Sequence, residues 1–307
     1  MVAGRTLVIV GPTAVGKTAL ALALAERWPL DVVSADSRQV YTGLDIATAK
    51  PSLRERERVR HHMVDLVPPG ERYSAGRFAL EAAAVLVSIT AAGRMPVVVG
   101  GTGLYIRALT DGLFVEPPMH GAARDALTGV TAGMDHASLV RWASRLDRRF
   151  GGTGGRHRAQ RAIEIALLTG RPLSWWQRTA ASHGAIVPWV VRLTVPRAIL
   201  HQRIRQRTEE MIRRGLIAEA AAAIADGAPP AGPGMDGIGV REAVQVLQGT
   251  LDREHLAEAV LIATRQYAKR QETWFRHQID SALTLDATRS PAHLADAVIT
   301  AWEQCTT

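Results

Sequence analysis

The chain has 307 residues, and its 47% hydrophobic content is sufficient for one large domain or two smaller ones. Its formal net charge of +8 suits an anionic partner such as nucleic acid or phosphate, although a GC-rich genome would also enrich arginine. Cys305 is the only cysteine, which excludes a disulfide framework or a cysteine-based zinc site within one chain. The Leu7–Val10 run is too short for a signal peptide or a membrane span, so we expect a soluble, cytoplasmic protein without a membrane partner.

The first part of the chain alternates short apolar runs with helical patterns. The apolar runs predict strands at Leu7–Val10, Asp31–Ala35, His62–Leu66 and Pro96–Gly100. The segments between them predict helices at Lys17–Trp28, at Ser74–Ala92 with Ser74 as the N-cap, and from Thr102 to Leu109. This alternation is typical of a parallel sheet covered by helices on both faces.

The pattern changes after Phe114. Glu116–Pro118 resembles a linker, and the residues that follow are predicted to be helical around a flexible glycine-rich loop at Gly151–Gly155. A strand is predicted to return at Trp189–Val195, followed by a helix over Pro196–Arg214. After a proline and glycine break at 228–233, the rest of the chain is expected to be helical.

These elements predict an α/β fold, with a parallel sheet flanked by helices and a helical insertion domain. Residues 1–114 and 187–307 are expected to form the core with its C-terminal helices, and residues 115–186 the insertion.

One segment matches the phosphate-loop pattern G-x-x-x-x-G-K-[ST] in full, and it lies between a predicted strand and a predicted helix. Its residues are Gly11, Pro12, Thr13, Ala14, Val15, Gly16, Lys17 and Thr18. In such a loop the backbone N–H groups and the helix N-terminus converge on an anion, the lysine adds a full charge and the threonine hydroxyl can ligate Mg²⁺. The motif therefore indicates that the α/β fold is P-loop NTPase-like, and it predicts a nucleotide or other polyphosphate site without identifying the polyphosphate.

Two polar residues directly follow predicted strands. Asp36 comes after the second strand and Thr102 after the fourth, so both are expected to face the same crevice as Lys17. From the residues alone, Asp36 is a candidate general base, an outer-sphere Mg²⁺ ligand or a turn cap. Thr102 is equally well explained as a helix N-cap or as a participant in the chemistry.

At these residues the chain resembles the bacterial tRNA dimethylallyltransferases. The resemblance runs in order over roughly residues 7 to 276. It is carried by Gly11–Thr18, Asp36–Ser37, Gln39–Tyr41, Gly43–Pro51, His61–His62 with Asp65, Tyr73–Ala75, Gly100–Tyr105, Arg161–Glu164, Arg203 with Arg207, Gly237–Glu242 and Thr264–Arg276. The chain departs from the family at Gly151–Gly155, which replaces a His-Pro-Asn-Asp segment, and at Val240, which replaces a tyrosine.

The resemblance implies a reaction and roles for the polar residues. A dimethylallyl group would pass from dimethylallyl diphosphate to the exocyclic amine of the adenine immediately 3′ of the tRNA anticodon, which is extruded into a channel. The phosphate loop, Arg207 and Mg²⁺ on Thr18 would hold the diphosphate. Lys17 would stabilise its charge, Thr102 would donate to the bridging oxygen, and Asp36 would accept the proton of the amine.

The resemblance also implies contacts with the tRNA anticodon stem-loop by a monomeric protein. The expected contact residues are Asp36, Ser37, Arg38, Gln39, Thr102, Arg124, Arg158, Arg161, Arg241, Lys269, Arg270, Gln271, Trp274 and Arg276. Without the resemblance, Tyr267 and Trp274 are better explained as core residues opposite a solvated basic face. The two departures are expected to alter the grip on the stem-loop and to leave phosphate binding and catalysis intact.

Three other functions remain compatible with the phosphate loop. The first is a nucleotide or small-molecule kinase that uses ATP, in which the basic 269–276 segment would have no evident task. The second is a prenyltransferase acting on free adenylate, which would need neither the insertion nor the basic C-terminal helix. The third is a non-enzymatic RNA-binding module with a relict nucleotide site, which would not need Lys17, Thr18, Asp36 and Thr102 together.

Overall fold

A computed structural model describes residues 4–114, 119–152, 155–179 and 183–306 of the chain. The predicted linker at Glu116–Pro118 and residues 153–154 of the predicted glycine-rich loop lie outside these ranges. The chain divides into two compact units, of which the first comprises residues 1–110 and 185–307 and the second comprises residues 111–184.

The first unit is built on a parallel sheet with six strands in the described residues, in the order β3-β2-β4-β1-β5-β6. The strands are β1 (Arg5–Val10), β2 (Leu30–Ala35), β3 (His61–His62), β4 (Met95–Gly100), β5 (Val187–Thr194) and β6 (Leu283–Asp286). The helices of this unit that precede β5 are α1 (Lys17–Ala25), α2 (Leu53–Arg58), α3 (Ala75–Ala91) and α4 (Gly103–Thr110).

The second unit is helical in its described residues. It contains α5 (Gly121–Ala132), α6 (His136–Leu146), α7 (Gly155–Thr169) and α8 (Leu173–Thr179). Its small core includes Leu139, Ala143 and Ile163, which are fully buried between α6 and α7. The chain then returns to the first unit, where β5 is followed by α9 (Arg197–Arg213), α10 (Leu216–Ala225), α11 (Val240–Leu247), α12 (Leu256–Gln278) and α13 (Pro291–Thr306).

Two predictions about the strands were wrong. The strand expected at His62–Leu66 ends after His62, because Met63 and Asp65 adopt left-handed backbone angles and Asp65 turns towards Lys50, whose Nζ lies 2.6 Å from its carboxylate. The expectation of continuous helix after residue 233 missed β6, which pairs in parallel with β5. With four residues at the sheet edge, alternately half-buried and exposed, β6 has too short an apolar pattern to be recognised.

Both faces of the sheet are covered, as the alternation predicted. Val8 and Val33 on one face pack with Phe78 of α3, and all three are fully buried. Ile9 on the other face packs with Leu20 of α1 and with residues of α13. Because the faces are sealed with apolar side chains, the carboxyl ends of the strands are the place where polar groups from several segments can meet.

The strand register brings three chain segments to the same level. Gly100, the last residue of β4, pairs with Ala35 of β2 on one side and with Val10 of β1 on the other. The residues that follow these strands therefore leave the sheet side by side. Among the helices in the described ranges, none is both long and apolar enough to cross a membrane.

Glu219 of α10 fixes the loop that follows β2. Its carboxylate accepts the backbone N–H groups of Asp45 at 2.7 Å, Ile46 at 2.6 Å and Ala47 at 2.9 Å. Glu219→Ala leaves these donors without their acceptor, and we expect the free energy of unfolding to fall by about 2 kcal/mol. Chemical denaturation measures this loss, with Glu209→Ala on the exposed face of α9 as the matched control. Equal losses in the two variants would contradict the role of Glu219.

Candidate functional site

The Gly11–Thr18 loop connects β1 to α1 and has the backbone shape of an anion cradle. Ala14 and Gly16 adopt left-handed angles, with φ of 63° and 113°, which are typical of backbone turns that bind anions. The helix N-terminus at Lys17 adds its partial positive charge to the same side. Arg203 of α9 supports the loop from outside, donating to the Val15 carbonyl at 2.8 Å and to the Ala287 carbonyl at 2.8 Å.

Lys17 closes the loop on itself. Its Nζ donates to the carbonyl oxygens of Gly11 and Pro12, both at 2.9 Å. Burial lowers the pKa of the Lys17 ammonium to about 8, the Asp36 carboxylate acts in the opposite direction, and the Arg207 guanidinium adds to the lowering. Lys17, Asp36 and Arg207 therefore lie close enough to interact electrostatically at the edge of the sheet.

Arg207 of α9 brings a second cation to this place. Burial lowers the pKa of its guanidinium, and the Asp36 carboxylate counteracts that effect. Its side chain lines the cavity described below, and no described residue accepts a hydrogen bond from it. The guanidinium fork is thus free to bind an anion.

Asp36 and Thr102 are joined through the turn after β2. One oxygen of Asp36, Oδ1, accepts the backbone N–H of Arg38 at 2.9 Å, so the aspartate does cap its turn. Its second oxygen has no hydrogen-bond partner among the described residues. Thr102 Oγ1 accepts the N–H of Ser37 at 3.0 Å and donates to Ser37 Oγ at 3.3 Å. Capping and a chemical role are therefore compatible at Asp36.

Helix α12 covers this edge of the sheet with Tyr267 and Gln271. Gln271 Oε1 accepts the N–H of Thr13 at 2.8 Å, and Gln271 Nε2 donates to the carbonyl of Gly101 at 2.8 Å. This approach requires glycine at position 101, since a Cβ there would lie 2.4 Å from Gln271 Nε2. Burial raises the pKa of Tyr267 to about 12, Asp36 acts in the same direction, and the Thr102 hydroxyl opposes it. The phenol therefore stays protonated and available as a donor at neutral pH.

A cavity of about 570 Å³ opens at this edge of the sheet. Ten of the predicted site residues line it, namely Thr13, Asp36, Ser37, Arg38, Thr102, Arg207, Arg241, Arg270, Gln271 and Trp274. Lys17 and Thr18 are not part of its lining and lie in the loop and in the first turn of α1, half-buried. Gly11 and Pro12 line a second, smaller cavity of about 150 Å³ together with Arg276.

The other predicted site residues lie elsewhere. The Gln39 side chain is held by Ser34 Oγ at 2.9 Å and by the Ala49 carbonyl at 3.2 Å. Lys269 is exposed on α12. Arg124, Arg158 and Arg161 belong to the second unit, where Arg124 and Arg161 pair with Glu164 and Arg158 is exposed.

Sequence reasoning did not assign several residues of the cavity wall to the site. Tyr267, which the sequence alone explains as a core residue, lies one helical turn before Gln271, and that spacing places both residues on the same helical stripe. The apolar part of the wall comprises Ile204, Met211, Ile238, Val240, Val260 and Phe275. Ile204 and Met211 lie about one turn before and after Arg207 on α9, which places them on the face that Arg207 defines.

Comparison with known proteins places these features in a family. Residues 39–278 match a family model described as IPP transferase, and residues 4–66 match one described as isopentenyl transferase. A tRNA dimethylallyltransferase from Halorhodospira halophila is 43% identical over 280 residues, covering 89% of this chain and 90% of the relative. Another from Stenotrophomonas maltophilia is 40% identical over 306 residues, covering 96% of each chain.

Solved structures give the same result. The full-length tRNA isopentenylpyrophosphate transferase from Bacillus halodurans superposes with a TM-score of 0.70 at 30% identity, covering 98% of this chain and 97% of that one. A eukaryotic dimethylallyltransferase acting on tRNA superposes with a TM-score of 0.76 at 25% identity, covering 98% of this chain and 80% of that one.

The lowered pKa of Lys17 makes anion binding depend on pH. Above about pH 8 the free protein loses the charge of Lys17, so its affinity for inorganic diphosphate is expected to fall as the pH rises. Calorimetric titration gives the diphosphate affinity of the wild type and of Lys17→Met at each pH. The ionisation of diphosphate affects both proteins equally and cancels in the ratio of the two affinities. We expect the ratio of the two affinities to decrease about tenfold from neutral to alkaline pH. A ratio near one at every pH would show that Lys17 does not bind the anion, and a constant ratio well above one would contradict the lowered pKa.

Proposed function

The chain belongs to the IPP transferase family, and we propose that it transfers a dimethylallyl group from dimethylallyl diphosphate to tRNA. The acceptor in this proposal is the exocyclic amine of the adenine immediately 3′ of the anticodon. One observation carries it, namely that Asp36 interacts with both Lys17 and Arg207 beside a cavity with an extensive apolar wall. Two cations suit the diphosphate, the apolar wall suits the prenyl group, and the carboxylate suits the amine.

The donor would be bound by the loop in the manner of a P-loop NTPase, with a diphosphate in place of a nucleoside triphosphate. Lys17 would leave the Gly11 and Pro12 carbonyls and move to the phosphate oxygens, and the Arg207 fork would bind them from α9. As the allylic C–O bond stretches, negative charge grows on the bridging oxygen. The Thr102 hydroxyl is suited to donate to that oxygen, because its present acceptor, Ser37 Oγ, is 3.3 Å away.

Magnesium fits the same arrangement. The Thr18 hydroxyl and the oxygens of a bound diphosphate would form an oxygen-only donor set, which is typical of Mg²⁺ sites that keep several waters. Lys17 and Arg207 alone, offset by Asp36, leave part of the charge of a diphosphate without compensation. Bound Mg²⁺ would neutralise that remainder and so favour departure of the diphosphate.

Asp36 would serve the acceptor. Its Oδ1 holds the turn, while Oδ2 can accept a hydrogen bond from the adenine amine, which is a poor nucleophile because its lone pair is delocalised into the ring. The amine nitrogen forms a bond to the allylic carbon as the C–O bond breaks and the diphosphate leaves with the electron pair. The proton released from nitrogen passes to Asp36.

The tRNA would be gripped by exposed cations. Lys269, Arg270 and Arg276 of α12 are exposed, and Trp274 of the same helix lines the cavity, where a base can stack. Arg158 is exposed on the second unit, which we propose also contacts the anticodon stem-loop of a tRNA bound to one protein monomer.

Label transfer tests the proposed function. Labelled dimethylallyl diphosphate is offered with unmodified tRNA, with AMP, or with ATP alone, and nuclease digestion then locates the label. We expect label on the adenine 3′ of the anticodon. Transfer to AMP in preference to tRNA, or turnover of ATP without transfer, would replace this function with one of the other two enzymatic functions.

Asp36→Asn isolates the proton-accepting role. The amide oxygen still accepts the Arg38 N–H, so the turn is retained, but the side chain no longer accepts a proton. Single-turnover label transfer is expected to slow by at least about 100-fold while tRNA affinity changes by less than about twofold. Lost tRNA binding with normal turnover of the bound complex would refute the general-base assignment.

Lys269→Ala tests the phosphate contact on α12. Loss of one contact to phosphate is expected to weaken tRNA binding and to reduce the slope of log affinity against log salt concentration by about 0.7–0.9. Lys269→Arg, which keeps the charge, is the matched control and should retain the wild-type slope. An unchanged slope in the alanine variant would assign Lys269 to a solvated face.

A further inference from the structure

Gln271 is a polar residue of the site whose side chain is turned inwards. It is 7% exposed, although Lys269 and Arg270 directly before it on α12 are exposed. We propose that Gln271, although it lines the cavity, is a positioning residue, which fixes the distance between the Gly11–Thr18 loop and the Thr102 turn and does not contribute to tRNA affinity. This inference rests on the proposed function, because it assigns those two segments to the two ends of the same allylic diphosphate.

The contacts of Gln271 bridge two segments that the sheet no longer holds together. The β1–β4 ladder ends at the pair Val10 and Gly100. Beyond it, Gln271 links Thr13 N–H to the Gly101 carbonyl, with both hydrogen bonds at 2.8 Å. Thr13 belongs to the anion loop, and Gly101 immediately precedes Thr102. The glutamine amide therefore replaces the missing ladder bonds between the diphosphate site and the hydroxyl proposed to act on its bridging oxygen.

An amide side chain at position 271 satisfies both of its backbone partners. One partner is a backbone donor and the other a backbone acceptor, so the side chain must offer an acceptor and a donor at the same end. A carboxylate would face the Gly101 carbonyl with a second acceptor, and a thioether would satisfy neither partner well. Asparagine has the right groups on a shorter stem. Among the side chains that do not titrate, glutamine alone has both groups and this length.

The anchoring of α12 gives this bridge a fixed base. Ala268 and Phe275, one turn to either side of Gln271, are each 1% exposed and pack in the core of the first unit. Since the helix is held on both sides, the Gln271 amide keeps its place when the loop is empty. A rigid support of this kind lets a reacting group be positioned before the substrate binds.

Two substitutions separate positioning from tRNA contact. Gln271→Met removes both hydrogen bonds at similar volume, and we expect the KM for dimethylallyl diphosphate to rise and kcat to fall, each about tenfold, with tRNA affinity within about twofold of wild type. Gln266→Met, at an exposed position of the same helix, is the matched control and should leave all three unchanged.

Gln271→Glu supplies a reversible version of the same test. Burial raises the pKa of the introduced carboxyl and the cations Lys17 and Arg207 lower it, and in its protonated form the carboxyl can again donate to the Gly101 carbonyl. Its kcat relative to wild type at the same pH is therefore expected to recover as the pH falls and the carboxyl is protonated. A defect that merely reflects a loosened fold would show no such recovery.

The outcomes are distinct. A raised tRNA dissociation constant with a normal KM for dimethylallyl diphosphate in Gln271→Met would assign Gln271 to the tRNA interface and overturn the inference. Wild-type kinetics in both Gln271→Met and Gln271→Glu would overturn it as well. If the wild type itself transfers no label to tRNA, the proposed function fails. In that event the affinity of Gln271→Met for inorganic diphosphate decides the positioning role, and an affinity equal to that of the wild type would reject it.

Discussion

Two poorly solvated cations held beside a single carboxylate are the constraint on which this site depends. Burial makes the charged forms of Lys17 and Arg207 less favourable, and the nearby Asp36 carboxylate compensates only part of that cost. The protein thereby maintains a local excess of positive charge at the edge of its sheet. An anion bound between two such cations would offset the cost of burying them.

The sheet topology makes that constraint possible. Placing β4 between β1 and β2 brings the anion loop, the Thr102 turn and the Asp36 turn to the same level, although they are far apart in sequence. Arg207 arrives on α9 after the chain has passed through the second unit, and Gln271 arrives later still on α12. The site is thus assembled from separate segments around one rigid edge, which suits a reaction that must align a leaving group with a nucleophile.

Local sequence patterns were sufficient to predict which residues directly follow the carboxyl ends of the strands. Asp36, Thr102 and the anion loop follow buried strands directly, and Ser74 caps α3 by accepting the Arg77 N–H at 3.1 Å, as its position indicated. Residues contributed by helix packing were harder to find. Periodicity shows that a helix has a buried face, but it does not show that the buried face carries Tyr267 into a cavity or Gln271 onto two backbone groups. The short β6 was missed for a related reason, since its stability comes from β5 and not from its own sequence.

A crystal structure of the protein with inorganic diphosphate and Mg²⁺ would show which groups of the site bind the anion. We expect Lys17 Nζ to leave the Gly11 and Pro12 carbonyls and the diphosphate to lie between it and the Arg207 guanidinium, on the side of the loop that faces Asp36. A diphosphate bound away from Arg207, with Lys17 still donating to both carbonyls, would contradict this expectation.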